Sequence, residues 1–149
     1  MDVTYRIRWA DVDANQHMRH SAYADYAADV RMAMFESIGF TMKDFAGANI
    51  GPILFREETR YMREVNLGES IRVDCKLGGM SADGRKWTLK HVFWRSRGGV
   101  EEPCAQITVE GAWLDMTTRR VVAAPAALLD AVGALERADD YQDPYPAPR

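Results

Sequence analysis

Apolar and polar residues alternate from Val3 to Trp9, with Tyr5, Ile7 and Trp9 on one side and Arg6 and Arg8 on the other. This period of two predicts a half-buried strand. Ala10 to His20 has no period and is rich in Asp, Asn and His, so it reads as a loop. From Ala22 to about Ile38 the spacing becomes helical. Tyr23, Ala27, Val30, Met34 and Ile38 share one face, and Tyr26 and Ala33 widen it. A helix that is apolar around so much of its circumference is expected to be wrapped by other elements. Ser21 is the expected N-cap and Gly39 the expected stop.

Thr41 to Gly51 reads as a connector with room for one short helical turn. Beyond Pro52 the pattern is that of strands: Ile53 to Val65, then Ile71 to Leu77 after the Asn66-Leu-Gly68-Glu69 turn. Asp83-Gly84 is a hairpin signal because both residues accept a positive φ. Trp87, Leu89, His91 and Phe93 alternate next, Gly98-Gly99 turns the chain, and Ala105 to Met116 is the last long strand. Pro125 opens a short Ala/Leu-rich helix to about Glu136. Strands joined by short turns favour antiparallel pairing. Five strands and one strongly apolar helix predict a two-layer α+β domain over residues 1–137. Residues 138–149 are Pro-rich and acidic and read as an extended or disordered tail.

The chain's 149 residues suit one domain, and 47% hydrophobic residues, with four Trp and eight Met, suffice for a real core. A net charge of −3 argues against nucleic-acid or anionic-membrane binding through bulk charge. No apolar run approaches the ~18 residues of a membrane span, and the first residues do not read as a secretory signal. A cytoplasmic protein is the expectation. Cys75 and Cys104 lie in strand-like segments without a CxxC spacing, so reduced core thiols are favoured over a disulfide, and no metal site is expected.

The chemistry is concentrated in Trp9-Ala-Asp11-Val-Asp13-Ala-Asn15-Gln-His17-Met-Arg-His20-Ser21-Ala-Tyr23. Two carboxylates and two imidazoles stand just before a helix N-terminus, which favours negative charge. With Arg31, this stretch resembles the aromatic-x-Asp-x-Asp…His…Tyr…Arg signature of hotdog-fold acyl-CoA thioesterases, in the branch of 4-hydroxybenzoyl-CoA thioesterase. The segment Glu57-Glu-Thr-Arg-Tyr61 through Asn66-Leu-Gly68-Glu69 to Val73 resembles the same family's strand, turn and strand. The resemblance spans about Tyr5 to Asp115. It implies a hotdog fold, a five-stranded antiparallel sheet wrapped around a long central helix. It also implies a homodimer or dimer of dimers with active sites at the subunit interface.

The implied activity is hydrolysis of an acyl- or aroyl-CoA thioester, with coenzyme A as part of the substrate and no separate cofactor. The family's catalytic carboxylate corresponds to Asp13, as base or nucleophile. The backbone N–H of His20 corresponds to the oxyanion donor. His17 could orient substrate or share a proton with Asp13, or be a hydrogen-bonded loop histidine. Asn15 could place a water or form the turn. Tyr23 could line the pocket or pack the helix, Arg31 reads as a paired structural charge, and Asp11 as scaffold. Glu57 and Glu58 are strand neighbours, so only one can line a pocket; Glu58 is the one assigned to substrate, with a solvated charge as the alternative. Arg60 is assigned to the coenzyme A phosphates, with Arg63, Arg85 and Lys86 as further candidates. Two other readings remain open: a hydratase or dehydratase of the same fold, and a non-catalytic acyl-CoA binder.

Overall fold

The computed structural model describes residues 1–147. Residues 148–149 of the expected tail lie outside the described residues. Strand β1 (Asp2–Arg6) leads through a 3-10 turn (Trp9–Asp11) and a loop into the long helix α1 (His20–Ser37). A short helix α2 (Met42–Gly47) follows, then β2 (Ile50–Tyr61), β3 (Ser70–Asp74), β4 (Lys76–Met80), β5 (Lys86–Arg97) and β6 (Val100–Asp115). The chain closes with β7 (Val121–Val122), α3 (Ala126–Gly133) and β8 (Arg137–Gln142).

The eight strands lie in one sheet of five rows. β3 and β4 form one row, broken at Cys75, and both pair antiparallel with β5. β1 pairs with β3 and β8 with β4 along the outer edge of that row. β5 pairs with β6, and β6 with β2 and with the two-residue β7. All pairs except β4 with β8 are antiparallel. α1 lies against β3 and β6. Tyr23, Ala27, Val30 and Met34 are buried as the helical spacing predicts, and so are Tyr26, Arg31 and Phe35. The helix inside the curled sheet is the hotdog arrangement.

Three sequence expectations shift locally. The first strand stops at Arg6, not Trp9. Asp11 draws the backbone N–H of Arg8 into a 3-10 turn, and this turns Trp9 outward to 75% exposure. α1 begins at His20 with Arg19 as its N-cap, because the Arg19 N–H is held by the Asp11 carbonyl at 2.7 Å. Ser21 is therefore inside the first turn and caps nothing. Residues 138–142 of the expected tail lie in β8 (Arg137–Gln142), held by Leu77 N–H on Glu136 O at 2.8 Å and by the Lys90–Asp140 ion pair. Opposite charges and the free edge of β4 outweigh the segment's polar composition.

Gly39 does end α1. At φ +84° it lets its own N–H reach Glu36 O and that of Phe40 reach Phe35 O, a Schellman closure. Cys75 and Cys104 are buried free thiols. Among the described residues no helix is long and apolar enough to cross a membrane.

Candidate active site

The segment between the 3-10 turn and α1 is a tight reversal. Asp13 N–H bonds to His17 O at 2.9 Å and Gln16 N–H to Asp13 O at 2.9 Å. Gln16 takes the left-handed conformation, φ 61°, that the turn requires. The Asp13 side chain caps the reversal: Oδ1 accepts the N–H of Asn15 at 2.9 Å and of His17 at 3.3 Å. Oδ2 has no hydrogen-bond partner among the described residues. Met18 N–H bonds to Val65 O at 2.7 Å, and His17 bridges to Asn66, so the reversal is docked on the loop after β2.

Because the Arg19 side chain supplies no cap, the N–H groups of His20 and Ser21 have no acceptor among the described residues. Free helix N-terminal amides carry partial positive charge and attract an anion or a polarised oxygen. An open cleft of about 400 Å³ lies beside them, lined by Asp13, His17, Met18, His20, Tyr23, Tyr61, Met62, Arg63 and Glu64. The Tyr61 hydroxyl donates to His20 O at 3.4 Å, and its ring meets the edge of Tyr23 at 5.3 Å. Burial pushes the Tyr23 hydroxyl far above its ordinary range, so it stays protonated. This arrangement offers two exposed carboxylates, Asp13 and the Glu64 that is ion-paired with Arg95 and Arg97, together with the free backbone donor of His20, that of Ser21 next to it, and an aromatic and thioether wall.

Four of the residues expected at the site, Asp13, His17, His20 and Tyr23, come together here. His17 touches Asp13 through its backbone N–H; its imidazole makes no bond to the carboxylate. Asn15 stands at the tip of the reversal, bonded to Asp13 through its backbone and outside the cleft lining. Glu58 and Arg60 do not join the cleft. In register they stand opposite Thr108 and Gln106, on the sheet face away from α1. Glu58 is bound to Arg56 at 3.0 Å, which also holds Glu110 at 2.6 Å. Glu57 and Tyr61, opposite the core residues Val109 and Ala105, face the helix side instead. Tyr61, Met18, Met62 and Glu64 also line the cleft and were not expected there, while Arg63, a candidate for the coenzyme A phosphates, is among the lining residues. Tyr61 has the same strand parity as Glu57, and this was the available signal.

Asp11 is 2% exposed and fully engaged, as scaffold. The Arg8 guanidinium holds its carboxyl well below the usual carboxylate range. No group of His, Cys, Asp and Glu side chains suited to a metal ion occurs among the described residues.

A model of the thioesterase-like superfamily matches residues 7–132, most of the chain. The chain belongs to the thioesterase-like superfamily. Solved structures of the hotdog fold superpose on it closely. A hypothetical protein from Staphylococcus aureus in complex with CoA is 20% identical, with 89% of this chain and 80% of that chain covered and a TM-score of 0.80. A 1,4-dihydroxy-2-naphthoyl-CoA thioesterase from Synechocystis is 10% identical over 90% of this chain and 96% of that chain, with a TM-score of 0.78. A 4-hydroxybenzoyl CoA thioesterase mutant complexed with 4-hydroxybenzoyl CoA is 11% identical over 89% of this chain and 97% of that chain, with a TM-score of 0.81. No curated protein matches the chain by sequence. At these identities the solved structures share the fold with this chain, and its superfamily rests on the match over residues 7–132.

Proposed function

We propose that the protein hydrolyses an acyl- or aroyl-CoA thioester to the free acid and CoA. The observation that carries this reading is one cleft lined by both the Asp13 carboxylate and the uncapped start of α1. Family membership supports it. In this reading the thioester oxygen lies against the N–H of His20, with that of Ser21 beside it, and negative charge develops there as the carbonyl is attacked. The free Oδ2 of Asp13 takes a proton from water as the water oxygen adds to the carbonyl carbon, or Asp13 adds directly and water then cleaves the anhydride. The carbon–sulfur bond breaks, the thiolate leaves, and it is protonated from solvent. The chemistry needs no metal or redox cofactor.

A homodimer fits the same reading. β2 is a 12-residue strand paired, among the described residues, on one side alone, by β6. Exposed Leu54 and Phe55 at one end of this edge, and Tyr61 with Met62 beyond it at the other, are apolar patches that flank the charged stretch 56–60, and the unpaired backbone of the edge is open to a further strand. A second copy joined there would close the cleft along Tyr61 and Met62.

The test is thiol release from a panel of acyl- and aroyl-CoA substrates, with wild type and Asp13→Asn. Asn keeps the Oδ1 acceptor of the turn and loses the charge. The expected result is turnover by wild type and a loss of about 10²-fold or more in the variant. No turnover across the panel, or an unimpaired variant, overturns the mechanism. Tight binding by calorimetry without thiol release would mark a binder instead.

A further inference from the structure

Asp11 stands two residues from the candidate base and is closed to substrate, yet both its carboxylate and its carbonyl are fully engaged. Its Oδ2 accepts the backbone N–H of Arg8 at 2.8 Å, Arg8 Nε at 3.0 Å and the Tyr26 hydroxyl at 2.6 Å. Its Oδ1 accepts Arg8 Nη2 at 3.0 Å. Its carbonyl takes the N–H of Arg19 at 2.7 Å. Arg19 immediately precedes His20, and its Nε also holds Ala10 O at 3.1 Å. Both ends of the segment 11–19 therefore meet at one residue. Tyr26 ties that residue to the body of α1, and its ring is seated on Tyr5 with centroids 4.5 Å apart.

We propose that Asp11, gripped by Tyr26 and Arg8, is a positioning residue that sets the separation between the Asp13 carboxylate and the free N–H groups of His20 and Ser21. The role rests on the hydrolase reading above. Its physical basis is the narrow tolerance of both partners. Oxyanion donors act within about 2.7–3.1 Å of the developing charge. A displacement of about 1 Å can cost roughly 10²-fold in rate. Asp13 sits on a reversal whose residues 13–17 are exposed. The Asp11 carbonyl and carboxylate bind both sides of that gap. Asp11 and Tyr26 are buried and neither lines the cleft, so binding and turnover should separate.

The experiment compares Tyr26→Phe with Tyr5→Phe. Each removes one phenol hydroxyl from a buried or half-buried ring, and Tyr5 donates to Asp29, away from the loop. Thiol release and backbone amide exchange at Asp13 and Arg19 are both read. Tyr26→Phe is expected to lower kcat about tenfold or more, with KM within about twofold. Exchange at Asp13 and Arg19 rises, and Tyr5→Phe changes neither readout. Unchanged exchange in Tyr26→Phe overturns the proposal, and so does faster exchange with an unchanged kcat. A wild type inert toward every thioester overturns the hydrolase reading instead. Faster exchange in Tyr26→Phe would then still identify Asp11 as the clamp between loop and helix, and unchanged exchange would remove that as well.

Discussion

Arg31 donates a hydrogen bond of 3.1 Å to Nε2 of His91 in the interior, between the middle of α1 and the middle of β5. The other ring nitrogen, Nδ1, lies 2.9 Å from the Asp74 carbonyl. A carbonyl only accepts, so Nδ1 carries the proton and Nε2 offers its lone pair to the guanidinium. The imidazole is therefore neutral. Complete burial and the neighbouring Arg31 charge push it down from 6.5 to about 3. Desolvation also lowers Arg31, against the opposing influence of Cys75 and Glu57.

This pair predicts acid sensitivity. Unfolding returns His91 to its ordinary value, so below pH 6.5 the unfolded chain binds a proton that the folded chain refuses. Its contribution is intact above that pH and is lost as the pH falls toward 3. The slope is at most about 1.4 kcal/mol per pH unit. Thermal melts of wild type should drop through this window, and those of His91→Gln should be flatter between about pH 6.5 and 4.5, above the range where most carboxylates titrate. Equal slopes would remove His91 as the source.

Asp13 has a capping task separable from its charge. Asp13→Ala deletes the acceptor for Asn15 and His17 N–H, and the expected cost is about 1 kcal/mol. Asp13→Asn keeps that acceptor and should melt close to wild type. Chemical denaturation of both variants checks the order; equal losses would mean that charge, not the cap, stabilises the turn.

Gly111 is needed for packing. A Cβ there would lie 2.3 Å from Cη2 of Trp87 and 2.6 Å from Ile53 O, where neither neighbour can yield cheaply. Trp87 is itself 1% exposed. Gly111→Ala should destabilise by about 1–3 kcal/mol or more. That is a fall of roughly 3 °C in Tm per kcal/mol for a chain of this size. A Tm unchanged in the variant would contradict the packing.

The β2 edge yields a solution prediction. Phe55→Lys places a charge in the exposed apolar pair Leu54 and Phe55 at one end of the β2 edge. Light scattering coupled to size exclusion should show a wild-type dimer or larger assembly and a shift toward monomer in the variant. A monomeric wild type at micromolar concentration would remove the edge as an interface.

Much of this molecule was legible from local pattern. The helical spacing of Tyr23, Ala27, Val30 and Met34 named the buried face of α1, because those side chains meet the sheet whatever its details. Asp83-Gly84 and Gly98-Gly99 marked turns because positive φ is a local demand, and the three glycines there adopt it. The crowd of Asp and His before α1 also stood out, and Asp13, His17 and His20 do share the cleft.

The faces of β2 were different. Alternation separates Glu57 and Tyr61 from Glu58 and Arg60, but both sets are polar enough that neither labels itself as inward. Pairing with β6, through a register shift between Leu54 and Arg56, decided that Glu57 faces the helix side and Glu58 does not. The same holds at the start of α1. Ser21 has the chemistry of an N-cap, yet the Asp11 carbonyl pulls Arg19 into that position and leaves two amides free. Sequence alone determined α1, the main strands and the reactive stretch, because periodicity and turn chemistry act over a few residues, whereas β8 depends on the edge of β4 that it joins. Only the tertiary structure decided which carboxylate meets the cleft and where the open donors stand, because both depend on contacts between segments distant along the chain.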